Sequence, residues 1–293
     1  MVNRRTFLQL TLAGLAAAAA PEAIAQSVKK HAAKAAPVKH RPLGLQLYTI
    51  REQAEKDLPL VLKALHQIGY KEIELYWDVY NHPAKELRKM LADNNLTAPS
   101  GHFNYEGFDT RVDYASELGV KYVICPMLPK SMWTSLDGFR EASDQLNLWG
   151  AEIRNRGMQF GFHNHNYEFR DFEGTTGWDI LMERTDPKLV CWEMDCYWIT
   201  QAGQDPVAMM NKHADRVRML HLKDRLPGFP TSQTLDESAE HFTEVGAGTL
   251  NWKAILADAT TVGIEHLFVE RDNGTTPAID SLRISFNNLQ KLL

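Results

Sequence analysis

From Leu43 onward, short apolar runs alternate with longer segments whose apolar residues recur at helical spacing. The first run is Leu43 to Thr49. Asp57 to Ile68 follows as a helix, with Leu58, Val61, Leu62 and Leu65 on one stripe and Gly69 as its stop. The pattern then repeats. Strands are predicted at Glu72 to Tyr76, Leu96 to His102, Lys121 to Cys125, Met158 to His163, Leu189 to Met194, Val217 to Leu222 and His266 to Glu270. Helices are predicted at Pro83 to Asn94, Asp109 to Leu118, Leu136 to Arg156, Gly177 to Arg184, Pro206 to Ala214, Trp252 to Thr261 and Pro277 to Leu292. Strands alternating with helices imply a parallel sheet, and eight such units imply one closed (β/α)8 TIM barrel of the α/β class. A doubly wound open sheet is the competing arrangement. It is weakened because no Gly-x-Gly-x-x-Gly follows the first strand.

Three apolar runs end abruptly in charge. Val217-Arg218-Met219-Leu220-His221-Leu222 gives way to Lys223 and Asp224, Met194 to Asp195, and Val269 to Glu270. In a (β/α)8 barrel the C-terminal strand ends converge on one mouth, where active sites form. The polar residues there are Gln46 and Tyr48 from strand one, Glu74, Tyr76 and Trp77 from two, and His102 from three. Strand five adds His163, Asn164, His165 and Glu168; strands six to eight add Asp195, His221, Lys223, Glu270 and Arg271. One buried His is commonly a satisfied core residue. A whole ring of such groups is not, since each unpaired buried polar group costs about 1–3 kcal/mol. Asp195, His221 and Glu270 offer O, N and O ligands, which suits one Mn, Zn, Co or Fe ion rather than calcium. A fourth ligand is expected between His163 and Glu168. Glu168 is the first choice, as a further carboxylate. His163 stands at the strand tip, and if it ligates, the site is softer and zinc-like and Glu168 is free for proton transfer.

Composition narrows the class. The 293 residues are 44% hydrophobic, enough for one large core. A net charge of -5 argues against nucleic acid as partner. Cys125, Cys191 and Cys196 are odd in number, lie in or just after apolar runs, and read as buried thiols. Arg4 and Arg5 precede an Ala-rich apolar stretch and Ala23-Ile24-Ala25, which reads as a twin-arginine export signal over 1–25, cleaved after Ala25. The stretch is too short and Ala-rich for a lasting anchor, so a periplasmic or exported protein without stable membrane insertion is expected. Residues 26–41 form a flexible lead-in and 42–293 the barrel. Monomer and homo-oligomer both stay open.

Several motifs resemble a known family. Gly161-Phe162-His163-Asn164-His165-Asn166-Tyr167-Glu168-Phe169, His221-Leu222-Lys223-Asp224, Val245-Gly246-Ala247-Gly248 followed by Leu250-Asn251-Trp252, and Val269-Glu270 are similar to the xylose isomerase-like barrel superfamily, specifically its sugar phosphate isomerase/epimerase group. The resemblance spans Leu43 to Leu293. It implies one divalent metal held by two Glu, an Asp and a His, here Glu168, Asp195, His221 and Glu270. One departure stands out: many members carry the first metal Glu at the strand tip, where this chain has His163.

The expected activity is a divalent-metal-dependent sugar isomerase or epimerase. A metal-polarised carbonyl makes the neighbouring C–H removable, giving a metal-stabilised enediolate. Glu168 or Glu270 would be the base, and Lys223 or His102 would steady or protonate the oxygen. Gln46, Tyr48, Glu74, His163, His165 and Trp77 are candidate substrate contacts, with Tyr76, Phe103 and Trp198 as further walls. The alternative is a lyase or dehydratase on a keto-sugar, keto-inositol or 3-keto-glycoside, where the same proton abstraction expels a β-substituent. An abasic-site endonuclease is disfavoured by the acidic balance, and a non-catalytic sugar-binding barrel ranks lower. The loop from Arg225 to Gly248, which holds His241 and Glu244, is long enough for a lid.

Overall fold

The computed structural model describes residues 41–236 and 241–293; the export signal and most of the lead-in read from the sequence lie outside them. Eight parallel strands close into a barrel: β1 Gly44–Gln46, β2 Glu72–Leu75, β3 Thr97–His102, β4 Tyr122–Cys125, β5 Gln159–His163, β6 Val190–Asp195, β7 Val217–Leu222 and β8 His266–Val269. Each strand pairs with its sequence neighbours, and β8 closes onto β1 with Gly44 opposite Phe268. Closure excludes the open sheet. Among the described residues no helix is long and apolar enough to cross a membrane.

Side-chain parity explains the layers. On β6, Val190, Trp192 and Met194 pack outward into the core shared with the helices, while Cys191 joins Tyr122, Ile124, Met219 and Phe268 in a small cluster that plugs the barrel interior. Gly161 leaves room for this plug: a Cβ there would stand 2.6 Å from Ile124 Cδ1 and 2.8 Å from Cys191 Sγ. Glu193 and Asp195 follow Cys191 at period two, so they rise above the plug towards the mouth. Met219, His221 and Lys223 do the same from β7.

The predicted elements hold with small changes at their ends. β1 stops at Gln46, whose side-chain oxygen accepts the Tyr48 amide at 3.1 Å and opens a 3-10 turn over Leu47–Ile50 and a short helix, Arg51–Lys56. Tyr48 therefore sits on a turn rather than on the strand. Asp195 is the last residue of β6 rather than the first beyond it, and it caps an unpredicted helix, Cys196–Gln201.

Lys223 and Asp224 part ways at the end of β7. Lys223 continues the inward parity, and Asp224 faces the other side. Its carboxylate accepts the amides of Arg225, Gly246, Gly248 and Leu250 at 2.8–3.2 Å and the Trp252 indole N–H at 2.7 Å. This clasp accounts for the glycine-rich motif, because a Cβ on Gly248 would fall 2.2 Å from Asp224 Oδ1. The expected lid is fastened where it is described. Residues 224–225 pair with 242–243, Glu244 pairs with Arg271 at 2.6 Å, and His241 stacks on Phe229.

Replacing Asp224 by Ala strands buried donors, each worth about 1–3 kcal/mol. We expect a loss of roughly 3–5 kcal/mol in urea unfolding, and a comparable loss for Gly248→Ala. A change below about 1 kcal/mol in both variants would show that the clasp is dispensable.

Candidate active site

Glu74, from β2, is the deepest hub. Its carboxylate accepts Ser100 Oγ at 2.5 Å and Gln46 Nε2 at 2.9 Å, and faces His221 Nε2 at 2.6 Å and His102 Nε2 at 3.2 Å. Glu193 Oε2 is the second hub, 2.7 Å from His102 Nε2, 3.1 Å from His163 Nδ1 and 3.2 Å from His221 Nε2. Above them, His221 Nδ1 lies 2.8 Å from Glu270 Oε2. The Lys223 ammonium lies 2.8 Å from Glu270, 2.8 Å from Asp272 and 3.3 Å from Asp195. All these groups are buried except Asp272, which is partly so.

Local structure orients each of them. Asp195 Oδ1 caps the helix that follows by accepting the Trp198 amide at 2.9 Å. Its other oxygen, Oδ2, has no hydrogen-bond partner. Asn164 ties β5 to β6: its Oδ1 accepts the Asp195 amide at 3.0 Å and the Trp192 indole at 2.9 Å.

Burial and mutual charge set the protonation pattern. Burial opposes charge on His102, but Glu74 and Glu193 overcome it and push its pKa up to about 9. His221 is likewise raised well above the usual imidazole value, against burial, by Glu193, Glu270 and Glu74. His163 goes the other way, because burial and then the neighbouring His221 hold it well below that value. It is neutral, with Nδ1 on Glu193. Burial opposes ionisation of Glu270, yet Lys223 and His221 keep it ionised. Burial lifts the Asp272 carboxyl to about 6, with Lys223 resisting.

Among the described residues, two four-residue groups have ligand atoms within 4.8 Å of one another: His102, His163, Glu193 and His221, and His163, Asp195, His221 and Glu270. The deeper group is largely satisfied by its own hydrogen bonds. The upper group fits a divalent transition ion better on three counts. It combines two imidazoles with two carboxylates. It contains Asp195 Oδ2, which makes no hydrogen bond and faces the Lys223 ammonium at 3.3 Å and His163 Nε2 at 3.8 Å. Each of its histidines also rests its remaining nitrogen on a further carboxylate, His163 on Glu193 and His221 on Glu74, the outer-shell support metal histidines use.

A cavity of about 690 Å³ opens over the upper group. Of the expected site residues, Tyr48, Trp77, His102, His163, His165, Lys223 and Glu270 line it. Asp195 and His221 lie just beneath, in the upper group. Gln46 and Glu74 do not line the cavity. Both are fully buried; Glu74 meets the His221 and His102 imidazoles from below and Gln46 holds Glu74, so they are supports rather than substrate contacts. Glu168 belongs to neither group. The 3-10 turn Tyr167–Phe169 folds it back, and both its oxygens accept the His165 amide at 3.0 Å. The geometry thus replaces Glu168 with His163 in the four-residue set and removes Glu168 as a base at the cavity. Of the other aromatic residues, Tyr76 packs edge-on against Tyr48, Phe103 stacks on Tyr80, and Trp198 leans over His165. Glu193, Asp272 and Ser100 escaped the sequence reading. Parity was the available signal: Glu193 lies two residues before Asp195, Asp272 two after Glu270, and Ser100 two before His102.

These features define a class, a (β/α)8 barrel with a titratable N/O cluster at its C-terminal mouth. The chain belongs to the xylose isomerase-like TIM barrel family, whose family model matches residues 62–290. An inosose dehydratase of Geobacillus thermodenitrificans is 26% identical over 221 residues, covering 65% of this chain and 74% of that protein. A sugar phosphate isomerase/epimerase structure from Parabacteroides distasonis superposes with a TM-score of 0.71 at 26% identity, covering 85% of this chain and 93% of that one. The structure of the IOLI protein with a bound zinc atom shares the fold at TM-score 0.67 and 16% identity, covering 86% and 98%.

Burial raises the Glu168 pKa to about 8. The folded chain then holds this proton where the unfolded chain has released it. The contribution to stability is full below the unfolded value of about 4.5 and is lost as pH rises through 8. Glu168→Gln should therefore flatten the fall of Tm between about pH 5 and 8. An unchanged slope would show that Glu168 does not carry this titration.

Proposed function

We propose that this protein is a divalent-metal-dependent lyase that dehydrates an uncharged keto-sugar or keto-inositol. The observation that carries the reading is the β5 tip. His163, not a carboxylate, completes the upper group with Asp195 and Glu270, which leaves Asp272, among the described residues, as the one carboxylate at the inner end of the cavity outside that set, where a two-base epimerase needs a pair. The similarity to inosose dehydratases points the same way. An isomerase or epimerase acting on a sugar is the second reading, favoured by the Parabacteroides likeness.

His163, Asp195, His221 and Glu270 would hold the ion, which when bound supplies Lewis acidity towards a carbonyl oxygen. Asp272 is the carboxylate nearest the cluster that stays outside the upper group while lining the cavity, and burial lifts it towards neutrality. It takes the proton from the carbon beside the carbonyl, and the C–H electron pair moves towards the carbonyl oxygen. Lys223 holds Asp272 in place at 2.8 Å. The electron pair then returns to form the C=C bond and expels the β-hydroxyl, which receives a proton from His102 and leaves as water. Glu74 and Glu193 keep His102 protonated for this step.

The substrate is read as uncharged from the cavity wall. Its charged lining residues are Glu106, Asp236, Glu270 and Asp272 against Lys130 and Lys223, with no arginine among them. Lys223 is already engaged by three carboxylates and the raised His102 by two, which leaves Lys130, exposed at the rim, and no bidentate fork to clasp a phosphate. Export is part of the same proposal and rests on Arg4-Arg5 and the segment that follows. An unphosphorylated sugar is the substrate to expect outside the cytoplasm.

Metal-loaded protein given a keto-inositol should generate an enone that absorbs in the near ultraviolet, and a chelator should abolish it. Asp272→Asn should lower kcat by roughly 100-fold or more. Epimerised free sugar with no enone from any keto substrate would favour the second reading. In metal titrations, His163→Ala should weaken binding by more than about 100-fold, beyond what losing an outer-shell partner costs, while Glu168→Gln keeps it. The reverse pattern would restore Glu168 to the ligand set.

A further inference from the structure

The cavity is too large and too unevenly lined for a lone polyol ring. A six-carbon ring occupies roughly 180 Å³ if each C–OH unit takes about one water's share, against the cavity's 690 Å³. The two ends of the cavity also differ in chemistry. The inner end, at the strand tips, is polar: His102, His163, His165, Lys223, Glu270 and Asp272. One side of the outer end is apolar, built by Pro126, Met127, Leu128, Pro129 and Trp133 from the loop after β4, with Leu235 from the loop after β7.

This wall is held rigidly. Trp133 stacks on Tyr167 with ring centroids 4.6 Å apart and planes 21° apart. The Tyr167 hydroxyl accepts the Leu128 amide at 3.0 Å. Next to it, Asn166 Nδ2 donates to the Ser232 carbonyl at 2.8 Å and the Thr234 carbonyl at 3.0 Å, fixing the approach to Leu235. Both sides of the outer wall are thus fastened to one turn after β5. A preformed apolar wall costs little ordering on binding and rewards a flat apolar group.

We propose that the outer end is a binding subsite for an aromatic aglycone, so that the natural substrate is a keto-sugar carrying a ring-sized aryl substituent. The proposal rests on the keto-sugar reading for its inner half only. Trp133 supplies the stacking face and Met127 and Leu235 the flanks.

Binding of unoxidised, non-reacting probes tests it without turnover. Glucose, methyl glucoside, phenyl glucoside and cellobiose are titrated calorimetrically into the metal-loaded full chain. Phenyl glucoside should bind roughly tenfold or more tighter than methyl glucoside, as expected for burying a phenyl-sized group. Trp133→Ala should remove that gain and leave methyl glucoside binding unchanged, and Trp133→Phe should restore most of it. Equal affinities for the phenyl and methyl compounds overturn the subsite, as does a gain that survives Trp133→Ala. Cellobiose binding tighter than phenyl glucoside overturns the aromatic assignment in favour of a second sugar. Loss of the phenyl gain with intact keto-inositol dehydration would sink the subsite alone. A persistent gain without any elimination would sink the lyase reading alone.

Discussion

Everything at the mouth of this barrel depends on neutralising buried charge. Glu74, Glu193, Asp195 and Glu270 are withdrawn from water together with His102, His163, His221 and Lys223. An isolated carboxylate in such a place would give up its charge or unfold the barrel. Here each carboxylate is met by an imidazole or an ammonium, and Glu74 and Glu193 each face more than one ring. Two oxygens are left over, Glu193 Oε1 and Asp195 Oδ2, without hydrogen bonds. The network satisfies nearly all its members, but its four carboxylates call for more positive charge than the imidazoles alone bring. Lys223 supplies part of that charge, as its contacts with Asp195, Glu270 and Asp272 show.

The barrel was legible because its signals are periodic. Apolar runs at strand length, helical stripes and glycine stops, as at Gly69, locate every barrel strand to within a few residues. The upper cluster was legible where a strand ends in a charge, as at Asp195, His221 and Glu270. Glu193 was hidden because it is embedded in an apolar run, and its role rests on parity with a residue two positions on. Glu168 was misplaced for a different reason. Beyond His163 the chain leaves the strand, so period two no longer says where a side chain points. The 3-10 turn that sends Glu168 back to the His165 amide is set by packing of Tyr167 and Phe169.

The segment after β5 then reads as a brace rather than a row of ligands. Asn164 fixes the start of the Asp195 cap, His165 lines the cavity, Asn166 holds the loop after β7, and Tyr167 holds the loop after β4. Glu168 locks the turn itself. Of these residues, only His163 belongs to the upper group. A neutral imidazole there gives the set less negative charge than a carboxylate would.

The same division of labour recurs at the end of β7, and it links stability to chemistry. Lys223 and Asp224 are adjacent, so strand geometry sends them to opposite sides. Lys223 joins the carboxylates of the mouth, and Asp224 gathers the amides of the glycine-rich loop and the Trp252 indole. A one-residue slip of β7 would exchange these roles, placing a carboxylate among carboxylates and an ammonium among N–H donors. Both errors are costly. The clasp therefore fixes the register that puts His221 between Glu74 and Glu270, and the site's geometry follows from an interaction that lies outside the cavity altogether.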